Sequence, residues 1–272
     1  TNWSFMKYPQ LDFGLGANSD LKFLDSLDYQ YLKLHQTFSK RIGKDLYLGT
    51  GINIDYYYNI VDSTKHNTPA YGFKQYGLAS SSNSTGLLLS VLYDTRKSII
   101  MPVANGSFVN VVLRNNVKWL GSTSNWSLLT IDARKYIGFP AGSSNILAFW
   151  TYNQFTLSGK SPYLDMPYTA SDAYKNFGRG YIQGRFRGNN LLFAESEYRF
   201  GITENGSLGG VVFANAQALS AYAGQPIKGI MTGIGAGIRM KFNKHSKTNV
   251  AIDYAYGQGG SHGIFMNLGE VF

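Results

Sequence analysis

The stretch LYLGTGINIDYYYNI, residues 46–60, decides the fold of this chain. Counting from Leu46, every second residue is apolar or aromatic except Thr50, while the residues in between are small or polar apart from two tyrosines. Successive side chains of a β-strand point to opposite faces, so the stretch predicts a strand with one apolar and one mainly polar face. A strand of this kind suits a membrane barrel with lipid outside and water inside.

The same alternation recurs along the whole chain and predicts about twelve antiparallel strands, with 14–16 as the alternative. The approximate spans are 8–18, 28–40, 44–60, 85–96, 106–119, 126–138, 144–157, 186–200, 207–221, 228–243, 247–257 and 262–272. The even-numbered connections are short (41–43, 97–105, 139–143, 201–206 and 244–246). The two long connections, 61–84 and 158–185, both fall on the other side, as in outer-membrane barrels. The sequence therefore predicts an all-β protein: a single transmembrane antiparallel β-barrel over residues 1–272.

Composition supports a barrel and excludes a helical membrane protein. The mean hydropathy is −0.17, and no apolar run approaches the roughly 18 residues of a membrane helix. Aromatic residues make up 15% of the chain, as interfacial girdles require. A soluble sandwich or a lipocalin-like barrel would also alternate, but its outward face would be rich in Lys and Glu. Here the polar face is mostly Gly, Asn, Ser and Thr with single charges.

The net charge of +9 predicts contact with anionic lipid headgroups or a basic lumen. Lys and Arg are scattered and not clustered, which argues against a nucleic-acid partner. We expect the lipid bilayer to be a partner, with lipopolysaccharide, a protein partner or a homo-oligomer as further candidates. Cysteine is absent, so neither a disulfide framework nor a thiolate metal site is expected, and no cofactor is expected. No signal peptide is visible at Thr1, which indicates a processed or trimmed form.

The most specific motifs lie between residues 178 and 200. They are Gly178-Arg179-Gly180-Tyr181 in the longest loop, then Gly184-Arg185-Phe186-Arg187-Gly188, then Glu195-Ser196-Glu197-Tyr198-Arg199-Phe200 on a strand. They resemble the barrel domain of the BamA/TamA-like outer-membrane assembly and secretion superfamily, also called the bacterial surface antigen family. In that family an Arg-Gly-Tyr or Arg-Gly-Phe loop folds back into the lumen.

Four further segments carry the resemblance in the same order. They are Tyr93-Asp94-Thr95-Arg96 with the turn at Pro102 and Asn105-Gly106, Val211 to Ala216 with Asn215 where an Asp is usual, Ile252 to Gly257, and Asn267-Leu268-Gly269-Glu270-Val271-Phe272. The last is similar to the terminal-strand signal of the family: polar Asn267, then Gly269, then the aromatic Phe272. Family members usually have about sixteen strands and many carry periplasmic POTRA domains. The resemblance therefore implies a truncated chain or a short form without POTRA domains.

The resemblance implies that Arg179, Gly180 and Tyr181 form a loop latch inside the lumen. Strand alternation places Glu195, Glu197, Arg199 and Arg187 on one face, opposite Leu192, Ala194, Tyr198 and Phe200. Asp253 is luminal on its own strand, and Asn215 is expected to be. The predicted luminal partners of the latch are therefore Glu195, Glu197, Arg199, Asn215 and Asp253, with Arg179 lying near Glu195, Glu197 or Asp253.

In that family the first and last strands pair poorly and can separate. Here the seam would join strand 8–18 to strand 262–272. Four glycines would weaken it, namely Gly14, Gly16, Gly263 and Gly269. Glycine there can equally serve as luminal spacing.

Enzyme chemistry and metal binding are not expected. None of the four histidines, His35, His66, His245 and His262, has zinc-ligand spacing with another His or an acid. Ser261 and His262 are adjacent and would face opposite sides of a strand, although a triad built from distant strands stays open. The glycine run of residues 233–237 lies inside a strand and opens no helix, so a phosphate-binding loop is excluded.

The resemblance implies a role in inserting or translocating proteins or lipids at the bacterial outer membrane, through a weak seam and a latched loop. Two alternatives stay open. One is a non-catalytic barrel subunit that binds a partner protein, and the other is a passive pore, for which a lumen plugged by Arg179 and its loop would be poorly suited.

Overall fold

The computed structural model describes residues 1–17, 19, 24–63, 73–77, 79–243 and 248–272. Its main element is one sheet of twelve strands, in which each strand pairs antiparallel with the next. The strands are β1 (Asn2–Asp12), β2 (Asp25–Gly43), β3 (Leu46–Asp62), β4 (Ser81–Asp94), β5 (Ser107–Asn116), β6 (Trp126–Gly138), β7 (Ile146–Gly159), β8 (Asn190–Gly201), β9 (Leu208–Ser220), β10 (Lys228–Asn243), β11 (Thr248–Gly257) and β12 (His262–Leu268). The predicted fold class is confirmed.

Among the described residues, helical structure is limited to short pieces. They are α1 (Phe73–Tyr76) and the 3₁₀ turns Lys118–Leu120, Tyr163–Asp165 and Gln258–Gly260. Within the part of the chain that the structure describes, no helix has the length and apolarity needed to cross a membrane.

The alternation seen in the sequence produces two different faces of the sheet. On β10, Ile230, Ile234 and Ile238 are exposed, whereas the glycines and Arg239 between them face the concave side. Exposed large apolar side chains of this kind occur on β1 to β7, β9, β10 and β12. On β11 exposed tyrosines take their place, and on β8 the outward-facing Leu192, Tyr198 and Phe200 are half-buried. We call the concave side the lumen.

The connections sort into two ends. The short-turn end has the connections 44–45, 95–106, 139–145, 202–207 and 244–247, of which the last lies outside the described residues. The long-loop end has the connections 13–24, 63–80, 117–125, 160–189, 221–227 and 258–261, of which 18, 20–23, 64–72 and 78 lie outside the described residues. The longest of them, 160–189, is called the luminal loop below, because its side chains contribute to both large buried clusters of the interior.

Strands β1 and β12 form the two edges of the sheet, and no pairing between them occurs among the described residues. The predicted bounds of both edge strands were wrong. The first strand covers 2–12 and not 8–18, because Gly14 and Gly16 turn the chain with φ of 86° and 87°. The last strand ends at Leu268, and Gly269 (φ 93°) turns the chain into the lumen. Of the four predicted seam glycines, only Gly263 lies in a strand.

The terminal-strand signal therefore has a different structure from the one expected. Asn267 lies on β12, but Gly269 and Phe272 lie beyond it. The Phe272 side chain is 2% exposed and packs between Trp150 and Tyr136, with ring centroids 5.1 Å and 6.3 Å away. The predicted terminal aromatic is thus part of the luminal core, not of a lipid-facing strand.

A cavity of about 600 Å³ occupies the lumen beside β2 to β7. Residues 164–174 of the luminal loop form part of its wall, and Ile99 and Arg96 border it near the short-turn end. The loop thus fills the interior against β8 to β11 and leaves polar space on the opposite side.

Candidate functional site

The guanidinium of Arg179 is the centre of the luminal site. Arg179 is 1% exposed, and its Nη1 donates to Asp253 Oδ2 at 2.5 Å. Its Nη2 donates to Glu195 Oε1 at 2.5 Å and also to Glu197 Oε1. The aromatic ring of Phe213 lies below the guanidinium, with its centroid 3.5 Å away. One arginine of the loop therefore connects β8, β9 and β11.

Strand geometry brings these partners together. Glu195 and Glu197 lie two residues apart on β8 and share the luminal face. Asp253 lies on β11, and its carboxylate reaches Arg179 across β10. The side chains of all three acids are 0% exposed, so their charges are compensated by protein groups.

Two further arginines extend the site towards the end of the chain. Arg199 Nε donates to Glu197 Oε2 at 2.7 Å, and its Nη2 donates to the backbone oxygen of Phe272 at 2.9 Å. Arg239 bridges Asp253 Oδ1 at 2.5 Å and Glu270 Oε2 at 2.7 Å. The luminal network thus holds three arginines and four carboxylates.

Sequence reasoning missed Arg239 and Glu270 as members of this network. Arg239 lies on the luminal face of β10 together with three glycines. Strand alternation alone could therefore have indicated that its side chain faces the lumen. Glu270 could not be found, because the predicted last strand continued through it, whereas the chain turns inward at Gly269.

The luminal glycines of β10 provide the space that the network needs. A Cβ on Gly233 would lie 2.6 Å from the carbonyl oxygen of Arg179. A Cβ on Gly235 would lie 2.3 Å from the Phe213 ring, and one on Gly237 would lie 1.8 Å from Asp253 Oδ1. We call these three residues the glycine track. They let a loop backbone, an aromatic ring and a carboxylate lie directly against the strand.

Gly180 and Tyr181 fix the loop next to the arginine. Gly180 has a φ of 102°, which is unfavourable for other residues, and its backbone lies against Gly257 of β11. The Tyr181 hydroxyl donates to the Thr232 carbonyl at 2.6 Å and accepts from the Gln258 amide at 2.8 Å. Gly180 and Tyr181 therefore contact the wall at β10 and the end of β11, next to the carboxylates that bind Arg179.

Asn215 acts as a hydrogen-bond donor in the site. Its Nδ2 donates to the carbonyl oxygen of Arg179 at 2.9 Å and lies 3.3 Å from Glu195 Oε2. An aspartate at this position would face two acceptors and would add a fifth carboxylate to a network that has three arginines. This explains why an Asn stands where the resemblance led us to expect an Asp.

We predict that Asn215→Asp weakens loop docking and lowers the free energy of unfolding by about 1–3 kcal/mol, the cost of buried groups that lose their partners. Asn215→Ala is the matched control, because it removes the donors without adding charge. The change should be measured by urea unfolding in detergent micelles. An Asp variant as stable as wild type, or more stable than the Ala variant, would contradict this role.

The luminal loop is also anchored to β1, at the other edge of the sheet. Asp12 at the end of β1 accepts from the Tyr163 hydroxyl at 2.7 Å and lies 3.7 Å from Arg187 Nε. Tyr8 of β1 donates through its hydroxyl to Gln183 at 2.9 Å. The loop thus contacts β1 at one edge and β11, the neighbour of the other edge strand.

An internal turn supports the loop between these anchors. The Asp172 carboxylate accepts from the backbone N–H groups of Tyr174, Asn176 and Phe177 at 3.2, 2.8 and 3.1 Å. Burial raises the pKa of Asp172, and these three donors oppose the rise. Asn176 in turn donates to the Val271 carbonyl at 2.9 Å, which joins the loop to the inward-turned end of the chain.

A second polar cluster lies on the wall formed by β2 to β5. Asp55 accepts from Arg114 Nη1 at 2.5 Å and lies 2.8 Å from His35 Nε2. Ser84 donates to Asp165 of the luminal loop at 2.6 Å, which joins this cluster to the loop. Among the described residues, no group of three or more His, Cys, Asp or Glu could hold a metal ion. His66 and His245 lie outside the described residues.

The comparison with protein families fits this geometry. Residues 1–256 match the model of the Omp85 superfamily domain. The chain belongs to the Omp85 superfamily. The resemblance read from the motifs is thereby confirmed, and the protein is an outer-membrane β-barrel of this insertion and translocation superfamily. A search of curated proteins gave no match.

Within this Omp85 barrel, the motif Arg179-Gly180-Tyr181 lies in the lumen together with its predicted partners. Glu195, Glu197 and Asp253 contact Arg179 directly, and Asn215 contacts its backbone. Arg199 donates instead to Glu197 and to the backbone oxygen of Phe272. Arg199 therefore belongs to the network as a partner of the acids.

Proposed function

We propose that this Omp85 barrel inserts or translocates proteins or lipids at the outer membrane by separating the two edges of its sheet, and that the luminal loop controls the separation. The observation that carries the proposal is the position of the loop. It bonds to Asp12 on β1 and to Asp253 on β11, while β1 and β12 have no pairing among the described residues. The proposal includes the bilayer as a partner and, as a candidate, lipopolysaccharide. It assigns no catalytic step to the barrel.

The energetics of an unpaired edge favour this role. A strand edge presents free N–H and C=O groups, which can pair with an added strand. Each such hydrogen bond contributes only about 0.5–1.5 kcal/mol net, so strands can be exchanged at this edge stepwise. The eleven residues of β1 offer enough length to pair with one strand of a client barrel.

The test is the insertion of a urea-denatured client barrel into liposomes that contain the protein. Tyr8→Cys with Gln183→Cys, joined by a short bis-maleimide, would fix the loop to β1, because the wild-type side chains are hydrogen-bonded there. The matched control is Ile252→Cys with Met266→Cys, which are direct neighbours on β11 and β12 and do not span the edges. We expect the first cross-link to suppress client insertion and the second to leave it unchanged.

Two outcomes would contradict the proposal. If wild-type protein does not accelerate client insertion over protein-free liposomes, insertion of proteins is not its activity. If both cross-linked variants insert the client at the wild-type rate, separation of the loop from β1 is not required.

A second candidate function is that of a barrel subunit which binds a partner protein. The same observation favours it, because an edge without a strand partner can also accept a strand from a permanent companion. Purification in detergent from native membranes distinguishes the two functions. A companion chain in fixed ratio would support the subunit, and a lone barrel active in client insertion would support the first proposal.

A passive pore is less well supported. Loop residues from Leu164 to Tyr174 line the cavity, and the loop crosses the lumen between β1 and β11. Conductance across a planar bilayer provides the test. A steady open current through wild-type protein would favour the pore over both other functions.

A further inference from the structure

A groove of about 340 Å³ lies on the lipid-facing side of the sheet across β2, β3 and β4. Its walls include Phe38, Leu48 and Leu89, and Lys40 stands at one end. In the strand register, Thr50 lies between Phe38 and Leu89, and Leu48 lies next to Lys40. The groove is thus apolar, and Lys40 is the cation among the described residues that line it.

The groove arises from one small residue. Thr50 is the one exception in the apolar face of residues 46–60, and large side chains surround it. Its hydroxyl donates to the Leu88 carbonyl at 3.1 Å, so its polar atom is satisfied within the sheet. Phe38, the cross-strand neighbour of Thr50, is 70% exposed and projects from the sheet beside the smaller threonine. A hydrocarbon chain could therefore lie there without meeting an unsatisfied polar group.

Lys40 has no carboxylate within salt-bridge distance among the residues that the structure describes. It is exposed and lies close to the short turn 44–45. A lysine at the end of a membrane strand extends its ammonium to the headgroup region while its carbon chain stays on apolar surface.

The surroundings of Lys40 carry an excess of positive charge. Exposed cations at the short-turn end include Arg41, Lys44 and Lys97. The acids in the described short turns are Asp45 and Glu204. This end therefore attracts anionic headgroups more strongly than zwitterionic ones.

We propose that the groove is a binding site for an anionic phospholipid of the adjacent leaflet. One acyl chain lies over Thr50 between Phe38 and Leu89, and the phosphate contacts the Lys40 ammonium. The site is independent of the loop and of the proposed insertion function, because none of its residues contacts the luminal network.

The test is native mass spectrometry of the detergent-purified protein with dioleoylphosphatidylglycerol, compared with dioleoylphosphatidylcholine. We expect the wild type to retain the anionic lipid preferentially. Lys40→Gln should bind it about fivefold more weakly, the factor that corresponds to one lysine at an anionic surface. Lys40→Arg should retain binding. Thr50→Leu should reduce binding by filling the groove, without changing the charge.

Controls separate the site from the rest of the surface. Ala236→Leu enlarges an exposed residue on the lipid-facing side of β10, away from the groove. Lys118→Gln removes an exposed lysine at the long-loop end. Both should bind the lipid as wild type does. Glycerol 3-phosphate in excess should not displace the lipid. Equal retention of both lipids, wild-type binding by Thr50→Leu and Lys40→Gln, or displacement by glycerol 3-phosphate would each overturn the proposal.

Discussion

Replacing Arg179 with alanine is expected to release the luminal loop and to lower the free energy of unfolding by about 3–5 kcal/mol, the range for breaking a buried ion pair at one partner. The reason is that Glu195, Glu197 and Asp253 would lose their shared cation in a site without solvent. Arg199 and Arg239 compensate only part of the charge that remains.

Two measurements check this result in detergent micelles. Urea unfolding followed by tryptophan fluorescence gives the stability, because Trp150 packs against the luminal core. Trypsin cleavage after Lys175 or Arg185 reports release of the loop. Arg41→Ala is the control, since Arg41 is exposed in the β2–β3 hairpin.

A conservative variant keeps the prediction testable if Arg179→Ala does not fold. Arg179→Lys retains the charge but loses the planar fork that contacts several carboxylates at once, so an intermediate loss is expected. If both variants resist trypsin and urea as wild type does, Arg179 does not hold the loop.

The second large effect is expected from Gly237→Ala in the glycine track. The added Cβ would lie 1.8 Å from Asp253 Oδ1 and 2.7 Å from the Ile252 carbonyl oxygen. The carboxylate must move, which disturbs its bonds to Arg179 and Arg239. We expect a loss of about 1–3 kcal/mol from overpacking alone, together with faster tryptic cleavage of the loop.

Gly201→Ala on β8 is the matched control. No atom lies within 4 Å of a Cβ built on Gly201, so its effect should stay within about 0.5 kcal/mol. A double-mutant cycle with Arg179→Ala adds a sharper test. If Gly237→Ala destabilises the barrel by displacing Asp253 from its bonds to the network, it should lower the free energy of unfolding less when Arg179 is already replaced. Full additivity would show that the glycine acts only on local packing.

Most of the sheet was predictable, because lipid on one side and a crowded polar lumen on the other impose a strict period of two. The bounds of β6 and β10 agree with the prediction to the residue. The first strand was misplaced because its outward face contains Lys7 and Pro9, which weaken the apolar alternation. The alternation then suggested strand structure around Gly14 and Gly16, where the chain turns.

The site was predictable where a residue and its partner both lie on regular strands or on a recognisable motif. The arrangement of Glu195, Glu197 and Asp253 follows from alternation, and the Arg179 motif indicated what they face. The role of Glu270 and the burial of Phe272 depend on one backbone angle at Gly269, and alternation contains no information on such an angle. The role of Asn215 could not be predicted from the sequence. The residue donates to the backbone carbonyl of Arg179 and does not contact the guanidinium charge, and only the structure gives the position of that carbonyl.

The contacts of the luminal loop with β1 and β11 have a thermodynamic consequence. A ligand that binds only when these strands move apart must weaken the docking of the loop, since Asp12 and Asp253 cannot both keep their loop partners. Linkage makes this relation reciprocal: a ligand that releases the loop must strengthen binding at the edges by the same factor. A luminal effector and a strand at the edge would therefore act as cooperative ligands of one barrel without touching each other.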